Sequence, residues 1–163
     1  MEIRHATAAD VSALVDLRNH YVANSFATFD EEPLTTEFIH SWVAAFNPES
    51  PHQLLVGHAG GQLLGFCSSQ PYRSHPAFAR TIETSVYVSP GAGGRGVGSA
   101  LYERLFQALQ RHELHRAVVG IALPNEASVN LHEKFAYMKV GVFNEYAVKN
   151  GRYVSSQWME RSL

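Results

Sequence analysis

The 163-residue sequence predicts an α+β (mixed α/β) fold, and three observations carry that expectation. Two strand-like runs, 52–59 and 62–69, are separated only by Gly60-Gly61, a pair that permits the positive φ of a tight antiparallel hairpin. A β-branched run ending at Val88 leads through a glycine-rich turn into an apolar pattern at helical spacing, followed by an apolar strand at 116–123. A helical crossover makes those two strands parallel. Asn150-Gly151, the strongest short hairpin signal in the chain, then joins two terminal strands.

Taken in order, residues 2–6 read as a first strand. Thr7-Ala8-Ala9-Asp10 is a helix start signal, and the helix it opens carries Val11, Leu14, Val15 and Val22 on one face to about Asn24. Pro33 announces a second helix whose Phe38, Trp42 and Phe46 recur every four residues. Between these helices, residues 26–33 mix aromatics with acids, as a substrate wall does; Phe26 and Phe29 equally suit a plug onto the core. Residues 70–80 interrupt the strands with two prolines and two arginines, and offer Arg73 or Arg80 to a carboxylate or simply to water. After the glycine turn a helix is expected to about His112. Pro124-Asn125-Glu126-Ala127-Ser128 opens another, with Asn125 as its cap, running to about Phe135.

Length and a 45% hydrophobic composition fit one domain over residues 1–163. A formal charge of −2 gives no basic surface for nucleic acid or an anionic membrane, so the expected partner is a small molecule. The lone Cys67 excludes an internal disulfide, and no apolar run reaches membrane-span length; a cytoplasmic protein is expected. Nine histidines are scattered without a metal-ligand motif, His112 and His115 being the nearest approach, and no metal is expected.

The glycine turn is where chemistry begins. Five glycines lie from Gly91 to Gly98, immediately before a helix whose first amides are unsatisfied and whose dipole is positive at that end, which makes an anion site. A nucleoside triphosphatase loop needs lysine where Val97 stands. A dinucleotide loop would use Gly96 and Gly98 but meets Leu101, and it belongs after a chain's first strand. The pyrophosphate loop of an acyl-CoA enzyme remains.

Three blocks, Thr81–Val88, Gly94-Arg95-Gly96-Val97-Gly98-Ser99-Ala100-Leu101 and Leu123-Pro124-Asn125-Glu126-Ala127-Ser128-Val129-Asn130-Leu131-His132-Glu133, fall in the order and spacing of a known family. The sequence resembles the GNAT superfamily of N-acetyltransferases, in particular its phosphinothricin N-acetyltransferase group, over nearly its whole length. The resemblance implies a mostly antiparallel central sheet in which two parallel strands splay apart, flanked by helices, with acetyl-CoA in the gap. Backbone groups of Val86, Tyr87 and Val88 would meet the pantetheine arm; Gly93, Gly94, Arg95, Gly96, Val97, Gly98 and Ser99 would hold the pyrophosphate; Asn125 and Ser128 would complete the site. Gly93 occupies the motif position where the superfamily carries Gln or Arg, which leaves Arg95 as the expected nearby cation. A homodimer is also implied.

Acetylating an amine requires its neutral form, so an ammonium must first lose a proton. Glu83 is the expected base: strand alternation puts Glu83, Ser85 and Tyr87 on one face and Ile82, Thr84, Val86 and Val88 on the other, and a carboxylate among β-branched residues needs a task or an ionic partner. A backbone amide near Val88 would stabilise the oxyanion. His132 stands where many superfamily members have tyrosine, and its imidazole would protonate the departing thiolate or hydrogen-bond the cofactor. Tyr137 is an alternative acid, and Cys67 has no base beside it. The expected acceptor is the α-amino group of a small amino-acid-like molecule such as phosphinothricin, methionine sulfoximine or methionine sulfone, with Phe29, Tyr72, Arg73 and Arg80 around it. A peptide or protein N-terminus, another amine, or a non-catalytic acyl-CoA sensor are the alternatives.

Overall fold

The computed structural model describes residues 1–163, and its seven strands form one sheet in the order β1-β2-β3-β4-β5-β7-β6. Strand β1 (Glu2–His5) pairs antiparallel with β2 (Leu54–Ala59), which turns through Gly60 and Gly61 into β3 (Gln62–Pro71). Both glycines have positive φ, 57° and 77°, as the hairpin signal requires. Strand β3 pairs antiparallel with β4 (Thr81–Val88), and β4 pairs in parallel with β5 (Arg116–Ala122). The terminal hairpin of β6 (Met138–Lys149) and β7 (Arg152–Ser162) closes the sheet, with β7 inserted beside β5.

Four helices cover the two faces. Helices α1 (Val11–Asn24) and α2 (Thr36–Ala44) pack on one, where Leu14, Leu17, Ile39 and Val43 meet Leu54, Val56 and Phe66. Helix α3 (Val97–Leu109) packs on the other, burying Leu101, Tyr102 and Leu105 against Leu55, Ile82, Ala117, Val119 and Ile121. Helix α4 (Glu126–Lys134) lies beside α3 on that second side. The alternation of β4 is therefore as expected: Ile82 and Thr84 are buried toward α3, while Glu83, Ser85 and Tyr87 share a face with Gln70, Ser68 and Phe66, their partners in register.

Two expectations are corrected. The inward stripe of α2 is Ile39 and Val43; Phe38 is 53% exposed, and Trp42 and Phe46 flank the core, touching edge to face. Helix α3 ends at Leu109, before His112.

Candidate active site

Strands β4 and β5 pair only at Thr81–Arg116, Ile82–Ala117 and Glu83–Val118. Beyond that point each follows its other neighbour: β4 stays with β3 until Val88 meets Gly65, and β5 stays with β7 until Ala122 meets Ser156. The gap between them opens into a cavity of about 860 Å³ whose walls include residues 83–88 and 119–122. The unpaired backbone edges in that gap are donors and acceptors that demand a partner, as a bound amide-containing chain provides.

One end of the cavity is the glycine turn. Gly96, at φ 79°, caps α3, a conformation that an L side chain rarely adopts, and aims the helix's open N-terminus at the cavity. Gly93, Gly94, Gly96, Val97, Gly98 and Ser99 all line it. A side chain at Gly93 would meet nothing within 4 Å, so sterics do not explain the glycine there. Arg95 is exposed and absent from the wall. The cation at this end is instead Lys134, at the last turn of α4, whose Nζ donates to Ser99 Oγ at 3.0 Å. Its sequence separation of 35 from Ser99 hid it; only packing of α4 beside α3 brings it in. Asn125 caps α4, its Oδ1 accepting from the Ser128 amide at 3.1 Å, and both residues line the cavity.

His132 is on the wall but only 1% exposed, and both ring nitrogens are engaged. Nδ1 lies 2.7 Å from the Ser128 carbonyl, which can only accept, so the proton is on Nδ1 and Nε2 carries the lone pair. The Tyr102 hydroxyl, 2.8 Å away, therefore donates to Nε2. Behind it, Thr84 Oγ1 lies 3.4 Å from Tyr102 and 2.6 Å from the Tyr137 hydroxyl. The Tyr102 proton goes to His132 and the His132 proton to the Ser128 carbonyl, while Thr84 and Tyr137 pair with each other beside them. Burial lowers the His132 pKa to about 4, so the ring is neutral near pH 7. In that state its single N–H is committed to the Ser128 carbonyl. Burial also pushes Tyr137 up, and Cys67 faces the α3 core with its thiol 3.5 Å from the Leu101 carbonyl and its pKa raised.

Glu83 presents the opposite condition. It is half-buried, it lines the cavity, and burial raises its pKa with no cation or donor to offset the effect. The salt-bridged alternative is therefore absent. On the same face Ser85 bonds Ser68 at 2.8 Å, the Tyr87 hydroxyl donates to the Ala27 carbonyl at 3.1 Å, and Tyr21 donates to the Val88 carbonyl at 2.7 Å. Tyr21, on no sequence motif, and Ala27, within the 26–33 stretch read as a substrate wall, complete the wall.

The residues expected around the acceptor are less gathered. Tyr72 lies on the Glu83 side of the sheet and meets Trp158 edge to face, ring centres 6.2 Å apart; Trp158 covers Gly120, where a Cβ would come within 3.0 Å of the indole. Arg73 stacks over Tyr72 at 5.0 Å and over Phe78 at 5.3 Å. Phe29 is exposed against Tyr146. None of the three lines the cavity. Arg80 is held elsewhere, by Glu113 at 2.8 Å beside the turn that follows α3.

A parallel pair that opens at its C-terminal ends onto a glycine-capped helix, with a free carboxylate on the opposite strand face, defines an acyl-CoA-dependent transferase site. The comparisons agree. The model of the acetyltransferase (GNAT) family matches residues 14–137, and the chain belongs to that family. It is 46% identical to a phosphinothricin N-acetyltransferase of Streptomyces coelicolor, over all of this chain and 96% of the relative. Two solved structures superpose over the whole chain. One, a ribosomal-protein-alanine N-acetyltransferase from Brucella melitensis, is 32% identical with a TM-score of 0.95 and is itself fully covered. The other, from Salmonella typhimurium, was solved with acetyl-CoA; it is 31% identical with a TM-score of 0.93, and 94% of it is covered.

Proposed function

We propose that the protein transfers the acetyl group of acetyl-CoA directly, in a ternary complex, to the α-amino group of a small amino-acid-like acceptor. Phosphinothricin, methionine sulfoximine and methionine sulfone are the candidate acceptors; each is an amino acid with a polar tetrahedral centre. The observation that carries the reading is the Glu83 carboxylate, unpaired in the wall of a splayed-strand cavity. The relative named for phosphinothricin supports the acceptor class.

In this reading the pantetheine arm pairs with the open edge at Val86, Tyr87 and Val88, and its pyrophosphate rests on the backbone from Gly93 to Ser99 with Lys134 as counter-charge. Asn125 and Ser128 finish that wall. Glu83, directly or through one water, takes the proton from the acceptor ammonium. The neutral amine attacks the thioester carbon, an amide N–H near Val88 meets the oxyanion, and the C–S bond breaks. The nitrogen of the tetrahedral intermediate sheds one proton and the thiolate needs one, so the balance closes without an acid from His132. Tyr72 and Arg73 are the acceptor-side residues retained from the sequence reading, and no metal takes part. We also place the protein in the cytoplasm, on its single buried thiol, and as a homodimer, on the exposed Met138, Val140, Phe143, Tyr146, Val148 and Tyr153 of the terminal hairpin.

Thiol release from acetyl-CoA with L-phosphinothricin, methionine sulfoximine and methionine sulfone tests the acceptor class. Turnover with at least one supports it. No turnover, with acetyl-CoA binding intact by calorimetry, rejects it in favour of a peptide N-terminus, the reading that the ribosomal-protein-alanine enzyme's name favours. Sedimentation equilibrium tests the dimer, and a monomer would reject it.

A further inference from the structure

Lys149, at the end of β6, is 1% exposed, although an ammonium is costly to bury without partners. Its Nζ donates to three carbonyls: Val22 at 2.8 Å, Ser25 at 2.7 Å and Thr28 at 2.9 Å. Three N–H donors thus meet three acceptors, two of them at the C-terminus of α1, where the helix dipole favours a cation. The same hairpin tip grips the following segment twice more. The Asn150 amide donates to Glu31 at 2.5 Å, and the Arg152 guanidinium lies 5.4 Å from the Phe26 ring centre.

Residues 26–33 belong to no helix or strand, and no backbone–backbone hydrogen bond ties them to the rest of the chain. Their place is set by side chains reaching in from elsewhere. Within them Ala27 lines the cavity and accepts the hydroxyl of Tyr87, on the Glu83 face of β4. We propose that Lys149 is a positioning residue for the acceptor: by caging the carbonyls on either side of Ala27 it holds the 26–33 segment against Tyr87 and so fixes the acceptor wall opposite acetyl-CoA. This rests on the proposed reading that the Glu83 face receives the amine.

The test is Lys149→Met, Lys149→Arg, Tyr87→Phe and the Met/Phe double variant in the full chain. Kinetics are measured with whichever candidate acceptor the wild type acetylates. Lys149→Met is expected to raise the acceptor KM about tenfold, with the acetyl-CoA Kd changed less than about twofold. Lys149→Arg restores part of the loss, and the double variant falls short of the product of the single effects, because both act through Ala27. Chymotryptic cleavage after Phe26 or Phe29 in the folded chain rises about tenfold in Lys149→Met, a readout that needs no acceptor. An unchanged acceptor KM, equal losses for both substrates, fully multiplicative variants or unchanged cleavage overturns the proposal. Should Lys149→Met not fold, Glu31→Ala loosens the same segment from the surface: a higher acceptor KM and faster cleavage are expected, and neither change overturns it. If the wild type acetylates no amino acid, the acceptor reading has failed, and the cleavage rates still decide the role of Lys149.

Discussion

Glu83 and Thr84 are consecutive residues of one strand and live in opposite chemical conditions. Thr84, turned toward α3, sits in a buried chain in which Tyr137, Tyr102 and His132 satisfy one another and the last proton ends on the Ser128 carbonyl. Glu83, turned toward α1, has a half-buried carboxylate with no protein donor or cation on it. A buried network whose members bond one another holds a fold together; a carboxylate in a cavity with no protein partner is available to a substrate. On this difference we propose that His132, which its place in the motif nominated as an acid, is a support held by its hydrogen bonds.

The largest expected effect breaks the open side. Glu83→Gln should lower kcat/KM by roughly 10²–10⁴ while leaving the acetyl-CoA Kd unchanged, since it removes the proposed base and none of the proposed cofactor contacts. Steady-state kinetics beside calorimetry check it. On the closed side, His132→Ala should strip the Tyr102 hydroxyl of its 2.8 Å partner, leaving it only Thr84 at 3.4 Å, and cost about 1–3 kcal/mol in urea unfolding, with kcat of the folded enzyme reduced less than about tenfold. A loss of kcat as large as that of Glu83→Gln, at unchanged stability, would restore His132 as the acid.

Smaller effects sharpen the contrast. Lys134→Ala should weaken acetyl-CoA about tenfold, the worth of one charge-assisted hydrogen bond, with the deficit shrinking at high salt. The free carboxylate also carries a stability signature. Because burial raises the folded-state pKa of Glu83, its contribution is favourable below the unfolded value near 4.5 and is lost as pH rises through the folded one. Glu83→Gln should therefore melt with the wild type at pH 4 and slightly above it at pH 7.

Much of this architecture was legible in local signals. Gly60-Gly61 and Asn150-Gly151 announced their hairpins because the turn conformation needs those residues, and Asn125 announced α4 because an exposed helix start needs a cap. The alternation along β4 assigned Glu83 to its face. What stayed hidden depends on which distant segment arrives beside which. In α2, two neighbouring stripes at the same spacing compete, and only the sheet beneath selects Ile39 and Val43 over Phe38. Arg80, which the sequence leaves open to a carboxylate ligand or to water, lies 2.8 Å from Glu113 of the turn after α3. Lys134, Lys149 and the depth of His132 are consequences of packing, and no motif in their own vicinity encodes them.

The central claim is that the free carboxylate of Glu83 is the base, and the pH dependence of kcat/KM for the acceptor tests it most directly. Because Glu83 takes its proton from a bound ammonium, log kcat/KM in the wild type should rise with a slope of one only up to the Glu83 pKa, which lies above the ordinary 4.5, and then level off while the acceptor remains an ammonium. In Glu83→Gln only acceptor that has already lost its proton reacts, so the slope of one should continue through neutral pH toward the ammonium's own pKa. The same plateau in both proteins would show that another group carries the proton, and would contradict the account.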